Sequence, residues 1–488
     1  MKPFIPLLLV LSLAACAPIS PEKHQASALS GEQLALSPDE TAMQWPDDHW
    51  WERYQDPQLN QLILQALENN PSLQAATARV RTAQAAAQGA RAVQWPQINA
   101  NYHLTRERLS EHYIYPPPLG GSTQSDTGLT LQLDFNPDLW GKQAALSHAA
   151  QSRAAAAQAS SLQARTLLIS TVAQAYFQLQ NAQAQTAAIE AIVGKLQEAL
   201  AITQDRYRNG LGIQVDVDQA DSAVSSAQVQ LSQVRNNVNL MHHQLAALLG
   251  ISPSQLPRPA LIPHQTIPTG VPAQMPMALL GRRADITAAR LQAQAAGAEI
   301  SAAQADFLPN INLSASLGFL SLGIDQLFRS GSFNATAGPV ITLPIFNAGA
   351  LNAQLAGRRS VRDEAIAQYN ETVLNAIREV ADASTSITAL QTQIQYQASS
   401  LRAIASAYDV GLQRYKAGLG NFVQVLMAQN EVLKQTVQAT DLQTRAYLLD
   451  VQLASALGGG YREPDAMPAP TATPDLSLQP LTDSSTPS

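Results

Sequence analysis

The sequence contains little charge and few aromatic residues. Charged residues make up 14% of the 488 residues and aromatic residues 5%, whereas charged residues are usually about 25% of a soluble globular domain. The net charge of −7 is weak and the chain has no basic cluster, which argues against nucleic acid as a partner. Ala and Gln are abundant instead, and both residues favour helices that pack closely.

Motifs of catalysis are also absent. The chain has no Gly-rich phosphate loop, no nucleophile elbow and no paired metal-ligand spacing. His242 and His243 are adjacent, and successive positions of a helix do not share a face, so we expect ordinary helical roles for them. The sequence therefore predicts a protein that is not an enzyme and that uses no cofactor and no metal.

Cys16 is the only cysteine, which excludes a disulfide within the chain. Residues 1–15 combine a positive start with an apolar run that is too short to span a bilayer, as in a cleaved export signal. The end of this segment, Leu-Ala-Ala-Cys, resembles the bacterial lipobox, which implies that Cys16 is acylated at the start of an extended lead, 16–44. The residue after Cys16 is Ala17 and not Asp. By the usual sorting rule for such lipoproteins, this implies the outer membrane. An ordinary signal peptide that contains a Cys is the alternative.

One short motif occurs twice, as Arg206-Tyr-Arg-Asn-Gly-Leu-Gly212 and as Arg414-Tyr-Lys-Ala-Gly-Leu-Gly420. The two copies lie 208 residues apart (414 − 206). Each copy separates two long runs of coiled-coil spacing, and a Gly-containing break between two helical runs predicts the tip of a helical hairpin. Gly210, Gly212 and Gly418 are expected at these tips either as turn residues alone or also as small residues that leave space for a partner's hairpin. The sequence thus predicts two long helical hairpins.

Each repeat also contains a pair of segments in which apolar residues recur with a period of two. The pair lies at about 97–138 in the first repeat and at about 310–343 in the second. Apolar residues point one way and polar residues the other, which matches the strands of a transmembrane β-barrel. We expect residues 109–127 to form a loop between the first two strands. A half-buried soluble hairpin is the alternative for each pair.

Four such strands cannot close a barrel, because membrane barrels begin at about eight strands. An open sheet edge is not tolerated in lipid, because its backbone groups have no partners there. If the strands lie in a membrane, several copies of the chain must close one barrel, as a dimer, a trimer or a tetramer.

The predicted division of the chain follows from these patterns. Its parts are a signal peptide, 1–15; the lead, 16–44; a first repeat, 45–250, with its helical hairpin at 141–249; a Pro-rich linker, 251–276; a second repeat, 277–461, with its helical hairpin at 348–457; and a disordered tail, 462–488.

Several short motifs resemble the outer-membrane factors of the TolC superfamily, and in particular their lipoprotein branch, the NodT type. These motifs are Asp56-Pro-Gln-Leu59, Leu139-Trp-Gly-Lys142, Gly281-Arg-Arg-Ala-Asp285, Phe307-Leu-Pro-Asn-Ile311, Pro344-Ile-Phe-Asn-Ala-Gly349, the paired tips, and Leu457-Gly-Gly-Gly-Tyr461. The resemblance covers residues 45–461. One departure is Ala284, where the branch usually has Pro, and it bears only on the start of a helix.

The resemblance implies a mostly α fold with membrane β: a homotrimer with a twelve-stranded transmembrane β-barrel in outer-membrane lipid above a periplasmic α-barrel. It implies a passive duct that works with a periplasmic adaptor and an inner-membrane pump to export small toxic compounds or drugs. An exit duct for protein secretion, or a lipid-tethered periplasmic coiled coil with a structural role, are the alternatives. The substrate and the class of pump are not encoded in the chain.

The resemblance also places a gate at the hairpin tips, where the second hairpin constricts the periplasmic aperture. Asp216 and Tyr415 occupy the positions of an Asp and a Tyr that lock the aperture in the family. Gly420 occupies the position of the locking Arg, so the lock is partial unless Arg414 or Lys416 supplies the cation.

The family often carries an acidic ring in the segment that here reads Val423-Gln-Val-Leu-Met-Ala428. Gln424 and Met427 stand at the acidic positions. Our hypothesis is that apolar and amide packing closes this aperture in place of carboxylates. The alternative is that both side chains face neighbouring helices and never line the lumen.

Overall fold

The structure is a computed structural model, and it describes residues 21, 26–34, 36, 45–262 and 277–463. The predicted signal peptide and Cys16 lie outside the described residues. The same holds for most of the lead, for the second part of the linker and for the tail beyond residue 463.

The two repeats share one order of elements, which is a helix of 22 residues, two strands and two long helices. The first repeat comprises a short 3-10 helix, Trp50–Tyr54, then α1 (Pro57–Asn69), α2 (Pro71–Ala92), β1 (Gln97–Arg108), β2 (Thr123–Phe135), α3 (Lys142–Arg208) and α4 (Gln214–Leu248). The second repeat comprises α5 (Ala284–Ala305), β3 (Asn310–Leu322), β4 (Phe333–Thr342), α6 (Ala350–Lys416) and α7 (Phe422–Ala456).

Local sequence sets the helix starts. Asp56 and Asn70 each accept hydrogen bonds from two backbone N–H groups in the first turns of α1 and α2, and each is followed by Pro at the first helical position. The helix α5 begins at Ala284 with Arg283 as its N-cap, so the missing Pro does not prevent a helix from starting there.

The long helices α3 and α6 have 67 residues each, which corresponds to about 100 Å at ~1.5 Å per residue. Each turns back into a 35-residue helix, α4 or α7. The coiled-coil seam of the first hairpin buries Ile189 and Leu196 of α3 against Val224 and Leu231 of α4. The predicted fold of two repeated helical hairpins is confirmed. Among the described residues, no helix has both the length and the hydropathy that crossing a membrane requires.

The four strands form one antiparallel sheet in the order β1-β2-β3-β4. Its register aligns the apolar positions across all four strands, as in the row Tyr102, Leu129, Phe319, Phe333. The neighbouring row is polar: Asn101, Thr130, Gly318, Asn334. The sheet therefore has one apolar face and one polar face, as the period of two predicts. Within the described residues, β1 and β4 each have a strand on one side only.

The strand β2 begins at Thr123, so the expected loop at 109–127 is too long. Residues 123–128 contain no large apolar side chain, and for this reason their period of two is invisible in the sequence. They pair with the outer end of β1, where His103 Nε2 lies 3.3 Å from Asp126 Oδ2.

The largest core lies where the short helices pack on the long hairpins. It buries aromatic and aliphatic side chains from both repeats, including Trp51, Ile63, Tyr176, Leu245 and Tyr447. We call this region the belt. The opposite ends of the hairpins, residues 206–216 and 414–424, are the tips. The belt and the tips lie far apart along the hairpins, and in both regions the first repeat contacts the second.

Candidate functional site at the hairpin tips

The two tips have the same backbone turn. Gly210 and Gly418 adopt left-handed conformations with φ of 70° and 75°. In each tip the residue after this glycine donates its N–H to a carbonyl of the last helical turn, from Leu211 to Arg206 and from Leu419 to Arg414, both at 2.8 Å. This is the usual way a helix ends on glycine, because only glycine adopts that conformation without cost.

Gly212 and Gly420 serve a different purpose from the turn glycines. Neither has a positive φ. A Cβ at either position would lie 3.2 Å or 3.3 Å from the backbone nitrogen of Tyr207 or Tyr415, which is tighter than ordinary van der Waals contact. These glycines allow the chain to pass close to the end of the preceding helix.

The structure brings Asp216 and Tyr415 together across the two repeats. Tyr415 is only 3% exposed, and its hydroxyl donates to Asp216 Oδ2 at 3.4 Å. The Tyr415 ring also packs against Phe422, with 5.2 Å between ring centroids. Burial, and then the negative charge of Asp216, raise the pKa of the Tyr415 hydroxyl, although Arg206 lowers it in part. The hydroxyl therefore stays protonated and able to donate at neutral pH.

The cation at this contact is Arg206, which belongs to the first tip. Its guanidinium carbon lies 4.9 Å from the centroid of the Tyr415 ring, a cation–π distance. The same side chain donates to the Tyr415 carbonyl at 3.1 Å and to the Leu211 carbonyl at 3.1 Å. It therefore ties the end of α6 to the turn of the first hairpin.

The sequence pointed to Arg414 or Lys416 for this cation, whereas within one chain Arg206 fills the place. Arg414 and Lys416 are both exposed, and Gly420 carries no charge. The signal that could have found Arg206 was the repeat itself, because Arg206 and Arg414 occupy the same position in the two copies of the motif.

Three further residues that were predicted at the aperture are exposed near the start of α7. Val423 is 39% exposed and Met427 67% exposed, and they are one helical turn apart on the same face. Gln424 is also exposed. The opposite face of this turn, with Phe422 and Val425, is buried in the contact between the tips. Within one chain, therefore, the exposed face is available to the lumen or to another subunit.

The belt contains a different kind of contact between the repeats. The Asp450 side chain on α7 is 3% exposed and accepts a hydrogen bond from the Tyr54 hydroxyl at 2.6 Å. Asp450 also forms an ion pair with Arg53. Burial raises the pKa of Asp450, whereas Arg53 and the hydrogen bond from Tyr54 lower it in part. These contacts fix the start of the first repeat onto the last helix of the second.

A buried cation, Arg283, makes a further contact at the end of α7. Arg283 lies in the Gly-Arg-Arg-Ala-Asp motif, and its side chain is 6% exposed. It pairs with Asp285 at 2.6 Å and with Glu379 at 2.8 Å, and it donates to the Ala456 carbonyl at 2.9 Å. The motif thus joins the start of α5 to α6 and to the end of α7.

The described residues contain no cluster of His, Cys, Asp and Glu side chains suited to a metal ion. His242 is buried and its Nε2 lies 2.9 Å from the Leu256 carbonyl.

The family model described as outer membrane efflux protein matches residues 62–251 and 275–459 of the chain. The chain belongs to the outer membrane efflux protein family. The two matched segments coincide with the two structural repeats, and the family is one of channels, not of enzymes.

Relatives and solved structures agree with this assignment. The chain is 30% identical over 471 residues to a multidrug resistance outer membrane protein, MdtQ, of Escherichia coli O157:H7, covering 93% of this chain and 97% of the relative. It is similar to the outer membrane protein VceC of Vibrio cholerae, with 36% identity, a TM-score of 0.80, and coverage of 86% of this chain and 100% of VceC. The open state of the MtrE outer membrane channel of Neisseria gonorrhoeae matches with 27% identity and a TM-score of 0.78, covering 91% and 98%.

These findings confirm the predicted location and role of the chain. It is an efflux protein of the outer membrane. Its long hairpins and its four-stranded sheet are those of the outer-membrane channels to which it is similar.

Proposed function

We propose that this chain assembles as a homotrimer into the passive outer-membrane duct of a three-part efflux system. A periplasmic adaptor joins the duct to an inner-membrane pump, and the cargo is small toxic compounds or drugs. The multidrug resistance named for the relatives supports this class of cargo. The chain supplies a conduit and no catalysis.

The observation that carries the proposal is the sheet with one apolar face and two open edges. Large apolar side chains on that face are exposed, including Ile98 at 68%, Leu317 at 52% and Ile341 at 64%. Exposed apolar surface of this extent requires a nonaqueous neighbour, and strands in lipid require closed edges. Pairing β4 of one copy with β1 of the next meets both needs, and three copies supply a barrel of twelve strands.

The same assembly places the tips in a ring at the periplasmic end. We assign the closed aperture to Asp216 and Tyr415, which lie at the contact between the repeats, together with Gly420, Val423, Gln424 and Met427. The small residues Gly210, Gly212 and Gly418 at the tips face the adaptor.

The membrane attachment includes an acyl group on Cys16. This thiol is the only one in the chain, and acyl chains tether a protein to one leaflet without spanning the bilayer. Substitution of Cys16 by Ser should abolish metabolic labelling with palmitate. Labelling that survives the substitution contradicts the lipobox assignment.

Conductance of the purified protein in planar lipid bilayers tests the proposed function. A duct predicts discrete channel openings from a species whose native mass is that of a trimer. A structural coiled coil predicts neither result. Because the segment 423–428 contains no carboxylate, divalent cations added on the periplasmic side should not block the current strongly. Strong block would contradict an aperture closed by apolar and amide packing.

A further inference from the structure

The contact between the two repeats of one chain has a counterpart on the outer surface of the same chain. Along the hairpins the two repeats meet through α3 of the first and α7 of the second, and α5 of the second repeat also packs on α3. Three partly buried apolar residues pack at this internal interface: Ile202, Val437 and Leu448. Their counterparts 208 residues away are also apolar, and they are exposed: Val410 at 53%, Val229 at 59% and Leu240 at 52%. These counterparts lie on α6 and α4, the helices at the two outer sides of the chain.

Polar residues at the tips show the same relation between a residue at the internal contact and its exposed counterpart 208 residues away. Inside the chain, Arg206 lies over the ring of Tyr415, and Asp216 accepts from the Tyr415 hydroxyl. The counterparts of these three residues are Arg414, Tyr207 and Gln424. Arg414 and Gln424 are exposed and Tyr207 is 46% exposed. Within the part of the chain that the structure describes, no contact joins them to one another.

In a ring built from several copies, first and second repeats alternate. The junction between copies is then an approximate image of the junction within a copy, with α6 of one chain against α4 of the next. Apolar residues at corresponding positions on both surfaces are what such an image requires, because each surface must be buried against the same kind of neighbour. The second copy of this chain is thus the occupant that fits the exposed face.

We propose that Arg414 of each subunit lies over the ring of Tyr207 of the partner subunit, and that Gln424 is hydrogen-bonded to the hydroxyl of that tyrosine. This inference rests on the ring assembly in the proposed function. It assigns Gln424 to the flank of α7 that faces the next subunit, while Val423 and Met427 face the lumen.

The two junctions differ in one chemical respect. Asp216 gives the junction within a chain a carboxylate, and Gln424 gives the junction between chains a neutral amide. A hydrogen bond to a carboxylate is roughly twice as strong as one between neutral groups, and the carboxylate also offsets the charge of the arginine. The polar contact between subunits is therefore the weaker of the two.

Paired cysteines test the contact in a Cys16→Ser background, which contains no other thiol. The test pair is Tyr207→Cys with Arg414→Cys, and the matched control is Tyr415→Cys with Arg206→Cys. With a flexible bis-methanethiosulfonate reagent, the test pair should give covalent dimers and trimers on a denaturing gel. The control pair should be joined within single chains and run as a monomer. A trimer of normal native mass in which the test pair gives no covalent oligomers would overturn the inference and leave the proposed function intact. If no trimer forms in any variant, both fail.

Charge at position 424 supplies a second test. Gln424→Asp gives the junction between subunits the carboxylate that Asp216 gives the junction within a chain. The leak conductance of the closed channel should therefore fall several-fold. Arg414→Ala should remove that gain. Asn430→Asp, at another exposed amide on the same helix, is the control and should leave the leak unchanged. If Gln424→Asp leaves the leak unchanged and instead makes the channel sensitive to block by divalent cations, Gln424 faces the lumen and the inference is wrong.

Discussion

The belt and the tips both join the two repeats, but the belt does so with the larger cluster of buried apolar residues. In the belt, the buried carboxylate of Asp450 pairs with Arg53 beside a core of aromatic and aliphatic side chains. At the tips, two helices of each hairpin meet around one buried tyrosine, Tyr415, and one arginine, Arg206. Regions with few buried apolar contacts open locally at a lower free energy than the core. The comparison indicates that the belt fixes the tube while the tips are the part that can move.

The largest effect is expected from the belt. Asp450→Ala removes the acceptor of the Tyr54 hydroxyl and the partner of Arg53, and an unsatisfied buried donor costs about 1–3 kcal/mol. The free energy of unfolding should fall by about that amount, with a lower midpoint of thermal denaturation and a lower yield of assembled protein. The control is Asp409→Ala, at an exposed position on α6, which should stay within about 0.5 kcal/mol of the wild type. Equal thermal midpoints for the two variants would contradict a stabilising role for the contacts of Asp450 in the belt.

The next effect is expected at the tip. Arg206→Ala removes the cation over Tyr415 and the hydrogen bonds to two backbone carbonyls, so the leak conductance of the closed channel should rise several-fold while the thermal midpoint changes little. Arg208→Ala is the matched control, because Arg208 pairs with Asp205 of its own helix. A leak that is equally high in both variants would show that loss of tip charge, and not of this contact, opens the aperture.

A smaller rise in leak is expected from Asp216→Asn. The amide keeps an acceptor for the Tyr415 hydroxyl but loses the negative charge, and the wild-type bond is long at 3.4 Å. Asp218→Asn serves as the control, since Asp218 is exposed and accepts from Gln214 on its own helix. We expect the order of leak conductance Arg206→Ala, then Asp216→Asn, then Asp218→Asn at the wild-type level. A reversed order of the first two would make Asp216 the main closing group.

The smallest effect concerns pH and returns to the belt. The pKa of Asp450 is raised above 3.8 in the folded protein by burial, so folding favours its protonated form. The contribution of this group to stability therefore increases as the pH falls from neutral towards 3.8. Asn at position 450 cannot titrate. The thermal midpoint of the wild type minus that of Asp450→Asn should become more positive on acidification. A difference that is constant, or that becomes more negative, would contradict the raised pKa.

Much of the fold could be predicted from the sequence because its patterns are periodic. The alternation of Leu129, Leu131 and Leu133 indicates a strand with an apolar face, and the paired Gly-Leu-Gly motifs indicate hairpin tips. The outer part of β2, from Thr123, could not be found, because it has no large apolar residue and takes its conformation from pairing with β1.

The candidate site could be predicted only in part. Asp216 and Tyr415 were expected to meet, but both repeats carry the Arg-Tyr pair, and the choice of Arg206 over Arg414 depends on which side of each hairpin faces the other. The belt was missed for a similar reason. Asp450 is a single carboxylate with no local pattern, and its partners Arg53 and Tyr54 lie almost 400 residues away in the chain, at separations of 397 and 396.

Hydrogen–deuterium exchange on the assembled protein in detergent is the most direct test of the comparison between belt and tips. Amides of the last turns of α6, at 411–416, should exchange much faster than amides of α7 in the belt, at 447–456, although both lie inside long helices or at their ends. Arg206→Ala should accelerate exchange at 411–416 and leave 447–456 unchanged. Equal protection of the two segments in the wild type, or acceleration of both by the substitution, would contradict a fixed belt and a movable tip.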